Sequence, residues 1–269
     1  MTETQPAKFA IALVALLSAL FCSAILFAQQ QPPVQQIVQR SVAANKRDFD
    51  AAPYFNYKER DRSIKGSKEY QVTMIEGSPY YRLLAVNGRD LSASQTAQEM
   101  EKQRQAEQKR RSESPADREK RIANYQRERR RDAEMMNQLT EAFNFTVTAE
   151  HRVRGFNVWV LKATPRPGYR PPSMETEVLT GMQGEMWIDQ RSYQWVRVTA
   201  QVIHPVSIEG FLAQVEPGTR FELEKAPVAG SDVWEPSHFA ERANARVLMM
   251  FNHREQEENW FWDYKPAKN

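Results

Sequence analysis

The sequence predicts an α+β fold in which one large, strongly curved antiparallel sheet of about 10–12 strands carries helices against one side. Three observations lead there. Short segments rich in β-branched and aromatic residues recur on both sides of a helical stretch at 92–142. Nearly all the links between them are short, and turn residues such as "EGSP" at 76–79 and "NGRD" at 87–90 fill them. The only cysteine, Cys22, lies in an apolar N-terminal run, so burial rather than disulfides must hold the rest together.

Residues 9–28, "FAIALVALLSALFCSAILFA", carry no charge, follow Lys8 and precede polar "QQQPP". That order is the grammar of a secretory signal peptide cleaved after Ala28. Its length also suits an uncleaved membrane anchor. Either reading places residues 29–269 in the periplasm, as a single domain. Cys22 lacks the small residue before it and the leucine three before it that lipidation needs.

Val34, Ile37, Val38 and Val42 have helical spacing, and Pro32 and Pro33 suit a helix start, so 32–45 is an amphipathic helix. Strands follow near 54–61, 69–75 and 80–86. From Glu101 to Arg131 the chain holds twelve Lys or Arg and six Asp or Glu. Ser112, Ser114 and Pro115 split this long charged insert into two helices. Arg127, Arg129, Arg130 and Arg131 form a basic patch suited to an anionic membrane or an acidic envelope partner. Strands return at 143–151 and 156–163. Four prolines make 164–172 a loop, and 173–182 is a short helix behind Ser173, with no reciprocal capping box because Thr176 occupies the third position. Further strands are expected at 184–190, 194–204, 211–215, 219–225, 231–236, 244–254 and 258–265.

The segment "GEMWIDQRSYQWVRVTA" at 184–200 is a hairpin. Strict alternation puts Val196, Val198, Ala200 and Val202 on an aliphatic face, with Trp195, Arg197, Thr199 and Gln201 behind. In "ENWFWDYKP" the same period puts Trp260, Trp262 and Tyr264 on one face, with Phe261 and Asp263 on the other.

The export run, the first amphipathic helix and the Trp187-Ile188-Asp189 turn with Arg197 on the next strand resemble the periplasmic lipoprotein-carrier (outer-membrane lipoprotein-sorting) superfamily. "GSPYYRLLAVNGRDLS", "ATPRPGYRPP" and "PVSIEGFLAQVEPGTRFELE" resemble a bacterial branch with a charged helical insert. The resemblance implies a half-open barrel with helices on its concave side and a cavity for a lipid or an acylated protein. Val196, Val198, Val202, Phe211, Met249, Phe251, Trp260 and Trp262 are the cavity candidates, and Arg197 the rim candidate. The alternative use of that fold is an envelope interaction protein or sensor.

Nothing in the sequence points to catalysis or a cofactor. His151, His204, His238 and His253 lie far apart and lack metal-motif spacing. There is no phosphate loop and no nucleophile elbow. The basic run is interleaved with one aromatic, Tyr125, which argues against nucleic acid. The expectation is a monomeric, noncatalytic binder of lipid or acyl chains.

Overall fold

The computed structural model describes residues 31–208, 213–247 and 251–267. Val34–Asn269 is one compact unit. It starts with helix α1 (Val34–Ala51), a 3-10 turn (Ala52–Tyr54) and strands β1 (Phe55–Ser63), β2 (Gly66–Ile75), β3 (Ser78–Val86) and β4 (Arg89–Asp90). Helices α2 (Ala93–Arg111) and α3 (Pro115–Ala142) come next, then β5 (Phe143–Val153) and β6 (Phe156–Pro165). A single turn α4 (Met174–Glu177) leads to β7 (Met182–Asp189), β8 (Trp195–Val202), β9 (Val206–Ile208) and β10 (Ala213–Val215). The chain closes with β11 (Arg220–Pro227), β12 (Trp234–Val247) and β13 (Phe251–Pro266). In α4 the capping box does form: Ser173 N donates to Thr176 Oγ1 at 3.2 Å.

The sheet corrects the expected barrel. Its main path runs β4-β3-β2-β1-β13-β12-β11-β8-β7-β6-β5 and leaves β4 and β5 as separate edges. It is open and not strongly curled. The stretch 92–142 is the crossover that carries the chain from one edge to the other. Its longer helix, α3, is 28 residues or ~42 Å long and touches both β3 and β5, so it lies across the sheet.

Caps start both crossover helices. Gln95 N donates to Ser92 Oγ, and Ser92 N donates to Gln95 Oε1 at 2.9 Å. Ser114 caps α3 by accepting from Asp117 N at 3.1 Å, with Pro115 in the first helical position.

The core lies between α1, α3 and one face of the sheet. Ile37 and Val38 of α1 and Met136 and Leu139 of α3 pack on Trp159, Leu161, Met186, Ile188, Trp195 and Val198. A second cluster extends it through Phe143, Leu179, Met182 and Val202. The opposite face has its own smaller cluster of Val158, Val160, Val196 and Trp234.

Two bulges overturn the strict alternation. Trp187 pairs with Arg197, but Ile188 pairs with Trp195, which leaves Val196 as the extra residue. Trp195 therefore joins the helix-side core and Val196 points to the other face. Near the C-terminus the β1–β13 register slips beside Tyr57, where Asp263 has φ +57°. This turns Tyr264 onto the face of Phe261, where it stacks on Tyr57 at 5.3 Å.

Candidate functional site

The helix-side face carries two adjoining features: an open groove at the β2–β3 turn and a buried polar cluster beside it. The groove arises because the α2–α3 joint wraps round that turn. Tyr80 and Arg82 point away from Tyr81 and meet α2, with Arg82 Nε donating to Gln103 at 2.9 Å and Arg110 5.8 Å over the Tyr80 ring. Tyr81 instead faces Tyr125 of α3. Glu76 and Gly77 turn the chain at φ +47° and +85°. Arg110 donates to the carbonyls of Ile75, Ser78 and Pro79 at 2.8–3.0 Å. Arg121 pairs with Glu113 at 2.7 Å and donates to Ser78 Oγ at 2.7 Å. A Cβ on Gly77 would lie 3.2 Å from Ile122 Cδ1, so the turn and α3 are in close contact.

The groove encloses about 930 Å³ between the end of α1, the β2–β3 turn, α2 and α3. Pro53, Tyr54, Met74, Ile75 and Ile122 supply its apolar part, and Asp50, Thr73, Glu76, Glu107, Arg111, Gln126 and Arg129 make most of the rest of the lining polar. Tyr54 is 64 % exposed, a large ring left facing solvent. Its three acidic residues are engaged: Glu76 with Arg118 at 3.5 Å, Asp50 with Lys46 at 2.6 Å, and Glu107 accepting from Gln103 Nε2 at 2.9 Å.

The polar cluster begins on α1. Its buried stripe is apolar at Ile37 and Val38, then continues through Ser41, Asn45 and Asp48. Lys225 of β11 donates to Asn45 Oδ1 at 2.9 Å and lies 3.5 Å from Asp48 Oδ2. Burial pushes the Asp48 carboxyl up and the Lys225 ammonium down, so their attraction does not recover the solvation each has lost. Glu235 of β12 lies against them, 6 % exposed, and burial raises it to about 7, opposed by Lys225 and Arg129. Glu235 Oε1, Gln194 Oε1 and Ser41 Oγ are buried without hydrogen-bond partners.

A second acid pair lies beyond Tyr264. Glu59 and Asp61 share one face of β1 with Tyr57, opposite Phe261 and Asn259. Glu59 is 8 % exposed, and its pKa rises to about 8, first through burial and then through the neighbouring Asp61 carboxyl. One carboxyl can thus hold a proton at neutral pH and donate it to the other.

The sequence-selected residues do not converge on one site. Val198 packs under α1, Val202 is sealed in the second core cluster, and Val196 faces the other way. Trp260 and Trp262 are half-buried on the face away from α1 and α3, where His238 lies 5.4 Å from Trp260 and Arg60 5.8 Å over Trp262. Arg197 is on that face too, 5.4 Å over Trp187 and 2.8 Å from Glu222. Phe211 and Met249 lie outside the described residues, as does the side chain of Phe251 at the start of β13. Of the basic patch, Arg129 donates to the Phe49 carbonyl and covers the Phe49 ring at 4.1 Å. Arg131 pairs with Glu175 at 3.3 Å, and Arg127 donates to Asn124 at 2.6 Å. Arg130 remains exposed. No group of three or more potential metal ligands exists among the described residues.

No protein-family model matches the chain, and no curated protein matches it in sequence. Among solved structures it is similar to a domain described as an outer membrane lipoprotein-sorting protein from Vibrio parahaemolyticus, at 10% identity and a TM-score of 0.33 over 87% of this chain and 92% of that one. A LolA superfamily protein from Nitrosomonas europaea is similar at 10% identity and a TM-score of 0.31, over 87% and 94%. A chain of the MucA/MucB complex of Pseudomonas aeruginosa is similar at 9% identity and a TM-score of 0.24, over 85% and 99%.

Proposed function

We propose that this protein is a noncatalytic binder of an amphiphile, a lipid or a lipoprotein acyl chain, in the periplasm, and that the ligand lies in the groove at the β2–β3 turn. The groove carries the proposal. Its volume of about 930 Å³ is within the ~300–1,000 Å³ typical of small-molecule sites, and its apolar residues come from the 3-10 turn, β2 and α3. Burying hydrocarbon there contributes ~0.8 kcal/mol per methylene before ordering costs. The apolar run at 9–28 supports export. Among the described residues no helix is long and apolar enough to cross a membrane.

Native mass spectrometry after lipid extraction, together with uptake of a fluorescent fatty acid, tests this. The wild type should carry or take up the amphiphile, and Ile122→Asp should cut uptake about tenfold without unfolding the chain. Absence of both copurified amphiphile and uptake in the wild type would contradict the proposal.

A further inference from the structure

We propose that the cluster of Glu235, Lys225 and Asp48 is a proton-operated latch that holds the end of α1 and the middle of α3 on the sheet, and so sets how far the groove is open. This rests on the groove being the ligand site. Three consecutive residues of α1 tie the parts together. Asp48 belongs to the cluster. Phe49 gives its carbonyl and ring to Arg129 of α3. Asp50 lines the groove. Pro53 and Tyr54, on the turn that ends α1, form the next part of the same wall. Arg129 serves both places, since it lines the groove and faces Glu235. A movement at the cluster is therefore transmitted to the groove wall through only a few residues.

The proton matters because of what faces Glu235. Lys225 approaches from β11, Asp48 from α1 and Arg129 from α3. The hydroxyls of Tyr125 on α3 and Tyr264 on β13 are also near. The two cations favour the ionised acid and Asp48 opposes it. Burial outweighs them, and one carboxyl oxygen has no hydrogen-bond donor. The ionised acid therefore gains from any state that admits water, and α1 and α3 are the elements that cover it. The sign follows from the raised pKa. The closed form holds its proton more tightly than an open one, so closure is favoured below the ordinary carboxylate value and is lost as pH rises through about 7. For one site moving between about 7 and the ordinary 4.5, the opening equilibrium grows about tenfold between pH 6 and pH 8.

Hydrogen exchange of the ligand-free full chain, corrected for intrinsic rates and read on peptides covering 44–54 and 123–132, tests the latch. The wild type should exchange about tenfold faster at pH 8 than at pH 6, and Glu235→Gln should show less than a twofold change. Arg129→Gln removes a cation that favours the ionised acid, so it should move the midpoint of the wild-type change to higher pH. A flat wild-type profile, or an unchanged profile in Glu235→Gln, would overturn the latch. The two proposals fail separately. PH-dependent exchange without amphiphile uptake would leave the latch and remove its ligand, whereas uptake with flat exchange would leave the ligand site and remove the latch.

Discussion

Replacing Glu59 with Gln should stabilise the protein at alkaline pH and change its stability little in acid. Glu59 is 8 % exposed, with its pKa raised to about 8 from 4.5. A carboxyl raised by folding contributes stability that is complete below its unfolded value and is lost as pH rises through its folded value. Each pKa unit corresponds to ~1.36 kcal/mol, so full ionisation of Glu59 costs at most about 5 kcal/mol, and about 3 kcal/mol has gone by pH 7. Sharing a proton with Asp61 makes these upper bounds. Gln keeps the shape, cannot ionise, and can donate an amide N–H to Asp61 in place of the acid proton. Urea unfolding at pH 5 and pH 8.5 should therefore show Glu59→Gln within about 1 kcal/mol of wild type in acid and about 2–3 kcal/mol more stable in base, with unchanged m-values. Equal destabilisation at both pH values would refute the desolvated acid at this position.

Two further outcomes follow from the geometry. Trp195→Ala should cost ~3–5 kcal/mol in urea unfolding because the ring fills the core under α1, whereas Val196→Ala, on the other face, should cost ~1–2 kcal/mol. Lys120, Arg127 and Arg130 are exposed on α3, so changing all three to Glu should weaken cosedimentation with anionic vesicles at low salt while the thermal transition stays nearly constant. Loss of vesicle binding accompanied by a large fall in Tm would contradict a surface role for these cations.

Periodicity made much of the framework legible. The Ile37, Val38 and Val42 spacing located α1, and the joint at Ser112–Ser114 divides α2 from α3 as its residues suggest. The faces of β8 and β13 were not legible, because one bulge beside Val196 and another beside Tyr57 each exchange neighbours across the sheet. A bulge is set by pairing between distant strands, so local alternation carries no sign of it. Openness of the sheet was hidden for a similar reason: strand order is a long-range property, and only the order shows that 92–142 joins opposite edges. The polar cluster had one sequence signal. Asn45 and Asp48 continue the helical stripe begun by Ile37 and Val38, at positions where apolar residues are expected. Their partners Lys225 and Glu235 come from strands 180 residues or so away and no local pattern links them. Arg129 looked like a surface cation, but Phe49 and Tyr125 give it rings to lie on.

The most direct test of the groove is photolabelling with a fatty acid that carries a diazirine on its chain, followed by peptide mapping of the full-length protein. Saturable label on peptides containing Tyr54, Met74 and Ile122 is the predicted result, with its yield reduced in Ile122→Asp. Label confined to peptides of the opposite sheet face, around Trp187 and Trp262, or no saturable label at all, would contradict the groove as the binding site.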